Sequence, residues 1–553
     1  MTMLASEDSS LGGMGLPDQP RLNAGDTYAY PGYKMYQQHS FPYTGDYRID
    51  ALLEGYPNQT GLGALGYQWN AGRALGSPVQ VTYSFASAAP VYGGNVDASS
   101  GDTGFQPFTE QQKAAVRHIM GELSRELGLD LVEVGDSASS YGQIRFGNNY
   151  QQTSTGYSWL PYSAPDDRAG DVWIDVTPEP PLNPNLRDLS PGTEGYGTLL
   201  HEIGHALGLK HPGDYNAGSD ASGLPGNYLS PGEDNENYTV MSYTAPTGGQ
   251  QRDWYGMYDL LALKTLYGSR NYNAGDTVYS YTDATGRVLK IIDDGSGFDT
   301  IDISGVSSAG NRVVDMRPGA FSSIGVKSDG QKAVQNLSID FTTVVERFVG
   351  TSYDDVVRGN HADNHFVLGL GANVADGAEG LDLVQYAGPR GSYTGGGNGA
   401  GGISVRGSNV NDTLTNVERL AFADSKLALD VGGNAGVAAK ILGAVFDAPI
   451  IRSDPGAVGL ALAKVDSGVS YPDLLTLALD IRLGDARSDE QVVDLLYANI
   501  AGVAPTAQQA APYLAQLYGG LTQANLGVIA AEMAENAAQI DLVGLAGTGL
   551  TYI

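Results

Sequence analysis

The sequence contains no cysteine. That absence removes disulfide bridges, thiolate metal sites and cysteine nucleophiles together. Basic residues are scarce: 31 Lys and Arg stand against 62 Asp and Glu, a formal net charge of −31. Such a balance excludes a nucleic-acid partner, because phosphate binding needs clustered cations. It suits a chain that collects cations or stays soluble by self-repulsion. No apolar run reaches the ~18 residues of a membrane span. Residues 1–32 lack the basic start and apolar stretch of a Sec-type signal, so export would need another signal. No Gly-X-Y period is present, which excludes collagen.

Glycine, in contrast, is abundant at 76 of 553 residues, about twice the usual share. The length predicts three or four domains, and 42% hydrophobic residues are ample for packed cores. Residues 1–45, polar and rich in Gly, Pro and Tyr, read as a leader or pro-segment. Residues 46–270 read as one α/β unit. Val79–Phe85 alternates like a half-buried strand, and 129–134 and 143–146 read as further strands. Thr109 and Gln112 form a capping box for a helix to Gly128. A second helix spans 195–207. From about Asn273 to residue 432, short β-like runs alternate with Gly/Asp/Asn turns. The tract Gly395–Gly402 lacks the Lys-Ser/Thr and helix of a phosphate loop and reads as a flexible loop. Residues 433–553 are Ala/Leu-rich and amphipathic, with helices expected over 489–500, 508–518 and 523–539.

The strongest pattern is His201-Glu202-Ile203-Gly204-His205-Ala206-Leu207-Gly208-Leu209-Lys210-His211. Three of the seven histidines fall in this one window. His201 and His205 are four apart, so a helix puts both imidazoles on one face, within reach of one Zn²⁺ at ~2.0–2.1 Å. Gly208 can adopt a left-handed conformation, ending the helix and letting His211 supply a third ligand. Three neutral histidines leave a position open for water, and Glu202 stands beside the first ligand as its general base. Asp166, Asp167, Glu194 and the acidic residues around Glu233 read as solvated loop charges.

This pattern, H-E-x-x-H-x-x-G-x-x-H, resembles that of the metzincins. Its extension His211-Pro-Gly-Asp-Tyr-Asn216 resembles the serralysin branch, secreted bacterial zinc proteases. Val240-Met241-Ser242-Tyr243 is similar to that family's Met-turn. The resemblance implies Met241 as the apolar base beneath the zinc. It implies Tyr243 as a switchable extra zinc ligand that also stabilises the oxyanion. Gly156, Tyr157, Ser158 and Trp159 resemble the edge strand above the cleft, where an extended peptide substrate would pair.

Asp294-Gly-Ser-Gly-Phe-Asp299-Thr-Ile-Asp302 has the rhythm of RTX nonapeptides, whose carbonyls and aspartates bind Ca²⁺ in a parallel β-roll. The resemblance implies calcium ligands at Asp294, Ser296 and Asp299, with Asn273, Gly275 and Thr277 from the junction segment. Weaker copies place Gly350, Asp355, Gly380 and Asp382 at ligand positions, and the roll is expected to be short and degraded. The 414–422 segment resembles a strand that closes such a region. Residues 433–553 resemble helical domains of bacterial RTX and surface-layer-associated proteins.

The implied architecture is multidomain: an α/β metzincin zinc-protease domain, then a parallel β-roll/β-sandwich calcium-binding domain, then a small all-α domain. The implied function is a secreted zinc metalloendopeptidase acting on proteins, stabilised by calcium. Export through a type I route and a cell-surface or surface-layer partner for the tail are expected. The rival expectation is a catalytically weak, calcium-dependent surface or adhesion protein.

Overall fold

A computed structural model describes residues 44–53, 67–70, 73–92, 95–96, 104–151, 154–161, 168–177, 187–213, 215, 228–308, 311–397 and 402–553. The leader or pro-segment expected over 1–45 lies outside these except for Thr44 and Gly45, whose N–H groups both donate to the Asp50 carboxylate. The described residues fall into two compact units, which part between Val345 and Glu346.

The first unit is built on a five-stranded sheet. In sheet order its strands are Leu129–Glu133, Val79–Phe85, Ile144–Asn149, Val172–Asp175 and Gly156–Ser158. The first four run parallel, and Gly156–Ser158 lies antiparallel at the edge. Ile144–Asn149, in the middle, is buried at every position, as a strand covered on both faces must be. The helix Glu110–Glu126 starts at Thr109, which makes both bonds of the capping box with Gln112. It buries Val116, Ile119, Met120 and Leu123 on one face.

A second helix, Glu194–Ala206, buries Tyr196, Leu199, Leu200 and Ile203 on the core side. It packs against Gly156–Ser158 and Val172–Asp175. This packing brings the three-histidine motif under the edge strand. A third helix, Met257–Tyr267, is held to later strands by Lys264, whose Nζ donates to Asp293 at 2.7 Å and Asp340 at 2.9 Å. Strands Val278–Thr282 and Thr300–Gly305 pair in parallel, as do Val288–Ile292 and Leu337–Ile339.

In the second unit, strands begin at Arg347, Val356, His365, Val374 and Leu383, nine residues apart. They alternate between two parallel ladders. Arg347–Val349, His365–Val367, Leu383–Gln385 and Arg419–Ala421 form one. Val356–Arg358, Val374–Asp376 and Val410–Thr415 form the other. Register partners such as Arg347 and His365 are eighteen residues apart, so each coil uses two nine-residue steps. Of the Gly395–Gly402 tract, residues 395–397 lie on the strand Thr394–Gly397, antiparallel to Ile403–Gly407; they are hairpin, not free loop.

A helical region follows, starting with Asn434–Phe446 and ending with Leu542–Thr548. The helix expected over 523–539 is two helices, Gln523–Ala531 and Ala534–Gln539. Met533 is extended between them, and the buried Asn536 amide donates to the carbonyls of Ala531 and Lys440. A side chain that satisfies the freed helix carbonyl stabilises the break. After these helices the strand Leu550–Tyr552 returns to pair antiparallel with Lys426–Ala428, which pairs with Arg419–Ala421.

Candidate metal and catalytic centre

His201 and His205 project from one face of the Glu194–Ala206 helix. Gly208 ends that helix with φ +108, and a Cβ there would lie 2.4 Å from the Tyr67 carbonyl oxygen. Only glycine fits both conditions. The chain then turns and His211 comes back to the helical pair. The three Nε2 atoms are mutually 3.1 Å apart. Each Nδ1 faces a backbone carbonyl: Val240 at 2.8 Å, Leu209 at 2.7 Å and Tyr215 at 3.2 Å. A carbonyl only accepts, so each Nδ1 carries the proton and each Nε2 presents a lone pair. Three lone pairs at that spacing repel unless a cation sits among them.

Burial favours the neutral rings, pushing His201 down to about 4 and His205 to about 3; His211 is lowered further. Neutral imidazoles with fixed Nδ1 partners are what a zinc ion held at ~2.0–2.1 Å requires. The residues present therefore fit zinc. Among the described residues this is the one group of three His, Asp or Glu side chains found close enough to share an ion.

Glu202 is 5% exposed, and among the described residues its Oε2 has no hydrogen-bond partner. Burial raises its carboxyl to about 8. It lines a cavity of about 440 Å³ together with His201, Gly156, Val240 and Tyr243. The edge strand presses directly on this carboxylate: a Cβ on Gly156 would lie 2.9 Å from Glu202 Cγ. Tyr157 stacks on Trp173, and the Ser158 and Trp159 backbone continues the edge, Trp159 N–H donating to Asp171. Tyr243 is half exposed, its ring stacked 5.8 Å from His201 and tilted 4.6 Å from His211. Burial and the nearby Glu202 charge push its phenol up to about 12. Met241 is fully buried below, and its sulfur lies 2.7 Å from where a Cβ on Gly204 would stand. Gly204 therefore lets the Met-turn approach the helix.

Three supports escaped the sequence reading. Asp259, fully buried, accepts from Thr239 Oγ1 at 2.5 Å, Val240 N at 2.8 Å and Gly256 N at 2.7 Å. It holds the turn whose Val240 carbonyl fixes His201. Its position three residues after Gly256, opening a helix, was the available signal. Tyr215 fixes His211 through its carbonyl, and its hydroxyl donates to Asp234 at 2.7 Å. Glu233 is not a solvated loop charge. It is buried and accepts from Tyr47, Tyr258 and Ser230. Asp166 and Asp167 lie outside the described residues. Asp259→Ala is expected to strand three buried donors, at about 1–3 kcal/mol each, and to lower the melting temperature of the first unit by at least about 5 °C; calorimetry checks this.

The calcium-type positions are grouped in two places. Thr277 N–H donates to Asp299 Oδ1 at 2.8 Å, and Gly275 O and Asp299 Oδ1 both lie 2.7 Å from where a Gly297 Cβ would stand. Asp294 turns away, accepting from Tyr279 OH and Ser296 N, while the Asn273 amide also meets Tyr279. In the second unit, Thr351 donates to the Asp355 carboxylate beside Gly350. Asp382 is fully buried, its Oδ2 has no hydrogen-bond partner among the described residues, and burial raises it to about 8. Gly380, at φ +121, packs on the Ala362 carbonyl rather than on Asp382. A buried carboxylate oxygen of this kind is the type of donor a hard cation takes.

The chain is similar to serralysins. Residues 258–396 match the family described as Peptidase M10 serralysin C terminal. Serralysin of Proteus mirabilis is 32% identical over 54% of this chain and 62% of its own length. Metallopeptidase AprA of Pseudomonas marginalis is 31% identical over 52% of this chain and 61% of its own. Serralysin G of Dickeya chrysanthemi is 30% identical, over 54% and 62% respectively. The chain thus spans about three fifths of the length of these curated relatives.

Proposed function

We propose that the chain is a zinc-dependent endopeptidase, with a catalytic part over residues 46–270, a calcium-type roll over 271–432 and a helical part over 433–553. The observation that carries this reading is the convergence of three unprotonated Nε2 atoms at 3.1 Å beside a buried carboxylate with a partnerless oxygen. His201, His205 and His211 would hold the ion. Bound there, zinc supplies a Lewis acid and lowers the pKa of water toward ~7. Glu202 takes the proton of the attacking water and passes it to the leaving amine. Tyr243, kept protonated by its raised pKa, donates to the oxyanion that forms at the scissile carbonyl. The backbone of 156–159, at the edge of its sheet, orients the substrate as an added strand. Met241 and Asp259 hold the floor in place.

The test is hydrolysis of an unfolded protein by the purified chain with zinc and calcium. Activity abolished by a zinc chelator and restored by added zinc is the expected result. No hydrolysis by a chain carrying stoichiometric zinc would overturn the reading.

Calcium is proposed to stabilise the roll, at Asp382 and at the group formed by Gly275, Thr277 and Asp299. Removing it with EGTA is expected to lower the melting temperature by about 2–4 °C per site of extracellular-type affinity. Asp382→Asn should melt with a smaller calcium-dependent shift than the parent; an equal shift would remove Asp382 from the ligand set.

An extracellular location is part of the same proposal, with a type I export route and a cell-surface or surface-layer partner for residues 433–553. Among the described residues no helix is long and apolar enough to cross a membrane. Fractionation of producing cells distinguishes cell-bound from released protein.

A further inference from the structure

The turn that carries the third histidine also carries Tyr215. Its ring stacks on Tyr243, with centroids 4.9 Å apart and planes at 30°. The same ring reaches His211 at 5.6 Å. Gly213 makes room for it: a Cβ there would collide with the Tyr215 ring and stand 2.7 Å from Asp234 Oδ2. The Tyr215 hydroxyl is anchored as well. It donates to Asp234 Oδ1 at 2.7 Å and accepts from the Tyr243 N–H at 3.3 Å. Ser242, 3% exposed, donates from Oγ to the same Asp234 oxygen at 2.6 Å. One carboxylate thus ties Tyr215 to the segment that bears Tyr243.

The Tyr243 phenol has no such anchor. Its side chain is half exposed, and among the described residues no hydrogen bond reaches its hydroxyl. A hydroxyl without a partner can donate to a substrate oxygen, provided that its ring is held. Three rings meet it: His201 at 5.8 Å, His211 at 4.6 Å and Tyr215 at 4.9 Å. The two histidines take their orientation from backbone carbonyls and belong to the metal group. Tyr215 is the one of the three outside that group. An exposed tyrosine left to itself spreads over three χ1 wells, and a stacked neighbour removes that freedom.

We propose that Tyr215 is a positioning residue: anchored on Asp234, its ring holds the Tyr243 phenol beside the three histidines, ready to donate to the oxyanion. The inference rests on the peptide-cleaving reading above. Tyr215 acts here only through Tyr243. The oxyanion forms only in the transition state, so a loosened Tyr243 lowers kcat and leaves KM nearly unchanged. Metal affinity is expected to hold, because His211 Nδ1 meets the Tyr215 carbonyl, which any residue at that position retains.

The test compares zinc-loaded full chains on one peptide substrate. Tyr215→Leu is expected to lower kcat about tenfold, less than outright loss of an oxyanion donor. KM and the zinc dissociation constant are expected to stay within about twofold. Tyr215→Phe keeps the ring and is expected to retain at least about a third of the parent kcat. In a Tyr243→Phe chain, which has no phenol to place, Tyr215→Leu is expected to change kcat by less than about twofold. An equal loss in both backgrounds, a loss of zinc, or no loss at all overturns the inference. A readout independent of turnover is the fluorine NMR line of meta-fluorotyrosine placed at position 243. The line is expected to be displaced from that of free fluorotyrosine in the parent and to return toward it in Tyr215→Leu. Hydrolysis with a line that does not move overturns the inference and leaves the protease reading standing. No hydrolysis by the zinc-loaded parent overturns the protease reading, and a line that still moves then keeps Tyr215 as the residue that orders Tyr243.

Discussion

Glu202→Ala is expected to lower peptide hydrolysis by about a thousandfold while zinc stays bound. The two halves of that result have separate structural causes. Glu202 is buried against Gly156 at the edge strand, and burial raises its carboxyl to about 8, the range in which it can take and return a proton near neutrality. Among the described residues the other carboxylates lining the cavity are Glu194 and Glu236, at the helix start and before the Met-turn. The histidines, in contrast, take their orientation from the Val240, Leu209 and Tyr215 carbonyls and not from Glu202. Truncating the carboxylate leaves those three bonds untouched. Turnover measured beside metal content on the same sample checks both halves. Substantial turnover in the variant would assign the base to another group.

Gly208→Ala is expected to cost the chain its zinc. The left-handed φ of +108 is strained for any residue with a Cβ, by about 1–3 kcal/mol, and the added carbon would stand 2.4 Å from a backbone oxygen that has no rotamer to relieve the clash. The loop must move, and His211 moves with it. A shift of about 1 Å in such a ligand is expected to weaken metal binding about a hundredfold. Zinc titration reads that effect, and thermal melting reads the loss of fold. Gly121→Ala is the control. It lies inside the Glu110–Glu126 helix with nothing within 4 Å of the new carbon, and should stabilise by about 0.5–1 kcal/mol. Equal behaviour of the two variants would remove the special role of Gly208.

The metal centre was legible in the sequence because its determinants are local. His201, His205, Gly208 and His211 lie on one helix and the turn that follows, and helical periodicity plus one glycine suffices to bring them together. Asp259, Tyr215 and Glu236 were not legible. Each acts on a segment elsewhere in the chain, so only the fold shows that Asp259 holds the Val240 turn or that Glu236 lines the same cavity as Glu202. The roll falls between these cases. Its nine-residue period runs through Asp355, Asn364, Asn373 and Asp382, all buried, with glycine five residues earlier at 350, 359 and 377. Two of the four acidic positions are asparagine and one glycine position is Leu368, which hides the rhythm from a pattern of Gly and Asp. The asparagines fit because their carbonyls accept as carboxylates would: Asp355 N–H donates to Asn373 Oδ1 at 3.0 Å, and Asn364 N–H to Asp382 Oδ1 at 2.7 Å. The break at Met533 was invisible because helix propensity is continuous there and the decisive contact, Asn536 to the Lys440 carbonyl, comes from far along the chain.

The pairing of Leu550–Tyr552 with Lys426–Ala428 sets an order of events during synthesis. The helices between these strands are an excursion from one sheet, and Lys426 meets Tyr552 across more than a hundred residues. Loop closure over that span adds little to the equilibrium cost, but it places a long-range contact late in folding. While the ribosome is still making residue 540, the strand 426–428 has one neighbour and an open side. That side presents unpaired N–H and C=O groups to any other extended chain nearby. The nascent protein is thus most exposed to mispairing in the interval before its 550–552 segment emerges.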